Sequence, residues 1–241
     1  MSDFIKASIQ ASKTIIQILS QRKIEHMQKY DIGAGGDISL GADMICEKIF
    51  TQHLLPLANI DSEESGYLNG KGEDIIILDP LDGSDNYLSN IPYYGASIAL
   101  YDSNKIPKEA IVVNFCSQNA YFDMGSGLEQ LSLIDCQQTP ILKNHSLSQC
   151  GIFEKAYSNP SLAAKLYEHK IKFRSLGASA LSLSLAHDVN FMLFGGKIRK
   201  YDCAAGLFLC RHLWIENSEH FLLVSRNKQI FDMITKIAKK D

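Results

Sequence analysis

Apolar residues recur at helical spacing near the start of the chain. Ile5, Ile9, Ile16 and Leu19 share one helical face and Ser2 stands where an N-cap belongs, which predicts a helix from residue 3 to about 28. Gly33-Ala34-Gly35-Gly36 then breaks the pattern. A second helix follows with Ala42, Ile45 and Ile49 inward, and Asp37 and Ser39 are its capping candidates. Residues 75–78 form an apolar, β-branched run between charged Glu73-Asp74 and Asp79-Pro80, which reads as a buried strand ending at a turn. Residues 94–101, 109–115, 118–124 and 128–134 read as strands joined by short polar turns, an antiparallel meander. After about residue 137 the texture changes. Short apolar strands at 152–153, 171–173, 191–194 and 221–224 alternate with helical patterns at 161–169, 179–187, 203–212 and 228–239. Such alternation argues for α/β layers. We expect one packed unit with an α+β half over residues 1–136 and an α/β half over residues 137–241.

Composition narrows the function class. With 46% hydrophobic and 21% charged residues among 241, the chain can bury a sizeable core and is not disordered. Its 24 Lys+Arg and 27 Asp+Glu leave a formal net charge of −3, which argues against a cationic nucleic-acid binder. The longest uncharged stretch, 86–101, is interrupted by Asn90, Pro92 and Gly95, and no basic-then-apolar leader opens the chain. A cytoplasmic protein with neither membrane nor nucleic-acid partner is expected. Six cysteines without a CxxC pair read as reduced thiols rather than a zinc site.

The chemistry concentrates in Leu78-Asp79-Pro80-Leu81-Asp82-Gly83-Ser84-Asp85-Asn86-Tyr87. Two acids three residues apart, stiffened by Pro80, converge at the end of a buried strand. Acids packed this closely repel one another unless a cation lies between them. An all-oxygen site suits a hard divalent metal, Mg²⁺ above all when a phosphate adds oxygens. Gly83 lets backbone approach a ligand closely and Ser84 starts a helical turn, itself an anion site. The blander alternative is a strand-to-turn junction whose acids cap amides. Two more segments carry acids: Asp61-Ser62-Glu63-Glu64-Ser65-Gly66 at the end of a short strand, and Lys200-Tyr201-Asp202-Cys203-Ala204-Ala205-Gly206 at a helix start. Alone, Glu63-Glu64 is a solvated turn and Asp202 an N-cap. Asp43, within the second helix, is either a solvated face residue or a positioned base.

Taken together and in this order, these motifs resemble the signature of the inositol monophosphatase family, within the metal-dependent, lithium-sensitive phosphatases that include fructose-1,6-bisphosphatases. The resemblance runs from about Ser8 to Ala238. It implies a layered αβαβα sandwich, of mixed α+β and α/β character, with the site between the halves. It implies that Glu64, Asp79 and the Leu81 carbonyl hold a first metal, that Asp79, Asp82 and Asp202 hold a second, and that Glu64 helps with a third. Asp43 and Ser84 match the pair that orients and deprotonates the attacking water, with Glu63 in the same catalytic group. The Gly83 and Ser84 amides would cradle the phosphate, and Gly177, Ala178 and Ser179 would face the substrate. The implied cofactor is two or three Mg²⁺ ions, with Mn²⁺ able to substitute and Li⁺ or Ca²⁺ inhibitory. The implied partner is a small phosphorylated metabolite, with a homodimer as the family's usual assembly.

The chain departs from that pattern at two places. Gly195 stands seven residues before Asp202, where inositol-selective members carry a substrate-binding acid, and Lys197, Arg199 and Lys200 follow. One expectation is a second phosphate docking near Arg199; the equal alternative is a solvated basic turn. The stretch 214–220 is also short, where relatives carry extra strand and loop residues. The expected activity is Mg²⁺-dependent hydrolysis of a phosphomonoester resembling inositol monophosphate or fructose 1,6-bisphosphate. The alternatives are a 3'-phosphoadenosine-5'-phosphate phosphatase and a regulatory binding protein that retains the fold.

Overall fold

The computed structural model describes residues 1–139 and 150–239; the parts of the expected second half at 140–149 and 240–241 lie outside the described residues. The first apolar face forms helix α1 (Asp3–Leu19), capped by Ser2, whose hydroxyl oxygen accepts from the Ile5 amide. The helix stops at Leu19 rather than near residue 28. Arg22 takes a positive φ and Lys23 is extended, so the chain turns away. Strands β1 (Lys29–Ile32) and β2 (Ile38–Leu40) then form an antiparallel hairpin around the glycine break. Helix α2 (Gly41–Leu54) is capped from inside its own first turn: the Asp43 carboxylate accepts from the Leu40 amide at 2.6 Å. Neither Asp37 nor Ser39 caps it.

Strand β3 (Asn59–Ser62) pairs antiparallel with β4 (Gly66–Leu68) and parallel with β5 (Ile75–Asp82). Strand β5 does not end at Asp79-Pro80. It continues to Asp82, and its register against β6 (Gly95–Tyr101) shifts between Asp79 and Asp82. A proline has no N–H for the ladder, so a local irregularity is where a strand tolerates one. Helix α3 (Ser84–Leu88) separates β5 from β6. The expected meander runs from β6 through β7 (Pro107–Asn114), β8 (Asn119–Asp123) and β9 (Glu129–Ser132), and an unexpected short strand, β10 (Gln138–Thr139), pairs onto it. The sheet order is β10-β9-β8-β7-β6-β5-β3-β4.

The second sheet contains β11 (Gly151–Glu154), β12 (Phe173–Arg174), β13 (Met192–Gly195), β14 (Trp214–Asn217) and β15 (Phe221–Ser225), in the order β12-β11-β13-β15-β14. Its helices are α4 (Pro160–Glu168), α5 (Ser179–Ser184), α6 (Lys200–Leu209) and α7 (Lys228–Ala238). The short stretch after Leu213 thus still supplies an edge strand, β14.

Strand periodicity builds the layers. Phe191 and Leu193, with Phe221 and Leu223, join Leu162, Leu166, Ile234 and Ile237 of α4 and α7 on one face. Met192 and Phe194, with Leu222 and Val224, join Leu183 and Cys203 of α5 and α6 on the other. Helices α5 and α6 also pack through Leu181, Ala205 and Phe208 onto Ala99, Ala110 and Val112 of the large sheet. The opposite face of that sheet takes α1 and α2 through Ile5, Ile15, Phe50, Ile76 and Ile98. The result is the expected αβαβα sandwich. Helices α5 and α6, shared by both sheets, bring their N-terminal turns to the end of β5.

Candidate active site

Three elements bring acids to one point. The Glu63 amide donates to the Leu78 carbonyl at 2.9 Å, which extends the β3–β5 pairing past Ser62 and sets Glu63 beside Asp79. The first turn of α6 presents Asp202. One carboxylate oxygen each from Glu63, Asp79 and Asp202 lies within 4.8 Å of the others. Burial, and then the charges of Glu63, Asp82 and Asp202, hold the Asp79 carboxyl well above the usual range. Burial pushes Glu63 up to about 7 against the opposing charge of Arg199. Three buried carboxylate donors, with no nitrogen or sulfur ligand among them, fit a hard divalent cation, which would favour their ionised form.

The convergent glutamate is Glu63, where the resemblance implied Glu64. Both glutamates lie in the turn after β3 against the β1–β2 hairpin, where the Glu64 carboxylate accepts a hydrogen bond from the Ser39 hydroxyl. Asp82 also holds a helix start. Its two oxygens accept from the Ser179 amide at 3.0 Å and the Leu181 amide at 2.9 Å, so it caps α5. Burial raises it to about 8. Leu81 is buried in the core below the large sheet, and its amide donates to Asp79 Oδ1 at 3.1 Å.

Asp43 and Ser84 are neighbours in space: the Ser84 hydroxyl lies close enough to the Asp43 carboxyl to favour its ionised form. Burial raises Asp43 to about 8, opposed by the Leu40 amide and reinforced by the charges of Glu64 and Glu63. Gly83 precedes this pair at φ +86°, and a Cβ there would lie 3.0 Å from both the Ala178 Cβ and the Tyr93 carbonyl oxygen. The turn after β5 and the segment Gly177-Ala178-Ser179 are therefore in direct apposition.

Two side chains that the sequence reading did not single out fix this apposition. Asn86 Nδ2 donates to the Tyr93 carbonyl at 2.7 Å and the Leu176 carbonyl at 2.8 Å. Glu154, only 2% exposed, accepts from the Gly177 amide at 2.9 Å and the Ser182 hydroxyl at 2.5 Å. The available signal for Glu154 was an acid following a short apolar run, as Asp79 follows residues 75–78.

The cations after Gly195 are all engaged. Lys197 pairs with Glu219 at 3.0 Å. Lys200 pairs with Asp61, which also accepts from the Tyr201 hydroxyl at 2.9 Å. Arg199 points inward. Its guanidinium meets both Asp202 oxygens at 2.8 and 3.0 Å, Glu63 at 2.7 Å, Asp37 at 2.8 Å and the Gly35 carbonyl at 3.2 Å. The expected phosphate-docking residue is thus committed to acids. At Gly195 a Cβ would lie 2.2 Å from Asn159 Nδ2, so the position of the missing acid is filled by Asn159.

Comparisons with known proteins fit this geometry. The inositol monophosphatase family profile matches residues 1–213. A fructose-1,6-bisphosphatase/inositol-1-monophosphatase of Archaeoglobus fulgidus is 29% identical over 199 residues, 77% of this chain and 71% of that protein. A Xylella fastidiosa protein named Nus factor SuhB is 26% identical over 220 residues, 86% of this chain and 77% of that one. The alignments with curated relatives span from 34% to 77% of those proteins' own lengths. The crystal structure of extragenic suppressor protein suhB from Bartonella henselae superposes with a TM-score of 0.78 at 21% identity, over 99% of both chains. At that identity the likeness concerns the fold.

Proposed function

This chain belongs to the inositol monophosphatase family, and on that premise we propose that it is a divalent-metal-dependent phosphomonoesterase acting on a small sugar or polyol phosphate. The observation that carries the reading is the buried convergence of Glu63, Asp79 and Asp202. These three are our assigned metal ligands, with Glu63 in place of Glu64. A bound Mg²⁺ or Mn²⁺ would supply Lewis acidity and the positive charge that lets a phosphate approach these acids. The protein's own groups do the rest. Ser84 orients the attacking water and relays a proton from it to Asp43. The Gly83 and Ser84 amides face the phosphate oxygens. Asp82, Glu154 and Asn86 position the segment from Gly177 to Ser179 against that turn rather than touching the reacting atoms.

The substrate class is tested by phosphate release from inositol monophosphates, fructose 1,6-bisphosphate and 3'-phosphoadenosine-5'-phosphate, with and without Mg²⁺. We expect Mg²⁺-dependent release from the sugar or polyol esters. Because Lys197, Arg199 and Lys200 are all paired with acids, we expect no dependence on a second phosphate. Asp79→Asn should abolish the turnover, and full turnover in that variant overturns the assignment. A regulatory role is the second reading, favoured by the relative named Nus factor SuhB. Partner capture unchanged by Asp79→Asn, from a protein that releases no phosphate, would support it instead.

A further inference from the structure

In the family reading, the space among Glu63, Asp79 and Asp202 belongs to a metal ion. In this chain an internal cation already reaches into it. Arg199 precedes α6 and forks onto both oxygens of Asp202 while a further nitrogen meets Glu63 at 2.7 Å. Two of the three convergent carboxylates are thereby neutralised without any ion. The same guanidinium also holds Asp37 and the Gly35 carbonyl, at the tip of the β1–β2 hairpin. That tip lies on the glutamate segment, because the Gly35 amide donates to the Glu63 carbonyl at 2.6 Å and the Ala34 amide to the Glu64 carbonyl at 2.9 Å. Arg199 is 37% exposed at its side chain, so a path outward toward Asp37 is open to it.

We propose that Arg199 is a built-in competitor of the metal: its guanidinium occupies Glu63 and Asp202 in the metal-free protein, and it must release them for a divalent ion to load. The inference rests on the metal-dependent reading above and adds the residue that sets how tightly the ion is held. Its physical basis is that one carboxylate lone pair cannot serve a guanidinium N–H and a divalent ion at once. Whatever Arg199 contributes to the metal-free state is therefore subtracted from metal affinity, and the two effects are reciprocal. Asp37 offers the displaced guanidinium an alternative partner, so release need not leave a bare charge. Metal loading is thereby coupled to the hairpin.

The test is calorimetric titration of Mn²⁺ into the full chain for wild type, Arg199→Ala and Arg199→Lys. Arg199→Ala should bind Mn²⁺ about tenfold more tightly. Arg199→Lys, which keeps the charge and loses the fork, should fall between the two. Thermal unfolding gives a second readout. Metal-free Arg199→Ala should melt below wild type, and the difference should vanish at saturating Mn²⁺, because the loaded wild type no longer uses this contact. Equal or weaker Mn²⁺ binding by Arg199→Ala overturns the proposal, as does a melting deficit unchanged by Mn²⁺. If Arg199→Ala does not fold, Arg199→Lys alone must still bind Mn²⁺ more tightly than wild type, and equal binding overturns the proposal. Should neither wild type nor any variant bind Mn²⁺, the metal-dependent reading falls and this one with it.

Discussion

Asp79 sits 2% exposed beside Glu63, Asp82 and Asp202, whose charges add to its burial, and only the Leu81 amide and the charge of Arg199 act against them. Neutralising it should therefore have opposite effects on stability and on chemistry. Asp79→Asn keeps the shape and removes a carboxyl whose ionisation this buried site opposes, so at alkaline pH the metal-free variant should melt above the metal-free wild type while Mg²⁺-dependent turnover falls about a hundredfold or more. Melting curves with and without Mg²⁺ check this; a variant that melts lower without metal contradicts the repulsion inferred here. Ser84 makes a narrower case. Ser84→Ala removes the hydroxyl that links Asp43 to the attacking water and should lower kcat by about 10²–10⁴-fold with Mn²⁺ binding retained. Ser84→Thr keeps the hydroxyl and should keep the rate within about tenfold. Loss of Mn²⁺ binding in Ser84→Ala would show that Ser84 acts on the metal site instead.

The elements carry these side chains, and they mark the boundary of what was legible in the sequence. Periodicity revealed α1, the meander and the alternating second sheet, because each buries one face with a regular spacing. It did not reveal that β5 runs through Pro80 to Asp82, since that extension rests on pairing with β6 and not on the run itself. Motif order singled out Asp79 and Asp202, which the fold brings together with Glu63. It could not decide between Glu63 and Glu64, because that choice depends on how the turn after β3 lies against its neighbours. Arg199 was singled out for its charge, but its partners lie 136 to 164 residues away in sequence as well as three, a distance no local pattern reports. The junction between the two sheets also has a testable weak point. At Gly83, φ +86° strains any residue with a Cβ, and the 3.0 Å approach of that Cβ to the Tyr93 carbonyl would force the neighbour to give way. Gly83→Ala should cost roughly 1–3 kcal/mol and lower the melting midpoint by several degrees. It should also raise KM, since the turn and the Gly177–Ser179 segment would separate. An unchanged midpoint would mean that the apposition is looser than the backbone geometry implies.

At the scale of the whole molecule, the net charge of −3 conceals a strongly uneven distribution. Asp43 and Asp82 are raised to about 8 and Glu63 to about 7, in each case first by burial. The unfolded chain releases those protons near the ordinary carboxylate values of about 4. Between roughly pH 4 and 8 the folded, metal-free protein therefore binds more protons than the unfolded chain, and its stability falls as pH rises through that window. This is the reverse of a fold whose acids are stabilised by ion pairs, which loses stability as pH falls. A bound divalent ion favours the ionised carboxylates and should remove most of the slope. The metal-free protein should thus melt highest on the mildly acidic side and lose several degrees by pH 8, whereas saturating Mg²⁺ should restore the midpoint at pH 8 and change it little near pH 5. Thermal unfolding at both pH values, with and without Mg²⁺, reads all four corners of this linkage. A metal-free midpoint that rises from pH 5 to pH 8 would mean that the buried acids are already compensated, by Arg199 and backbone amides, more completely than their burial implies.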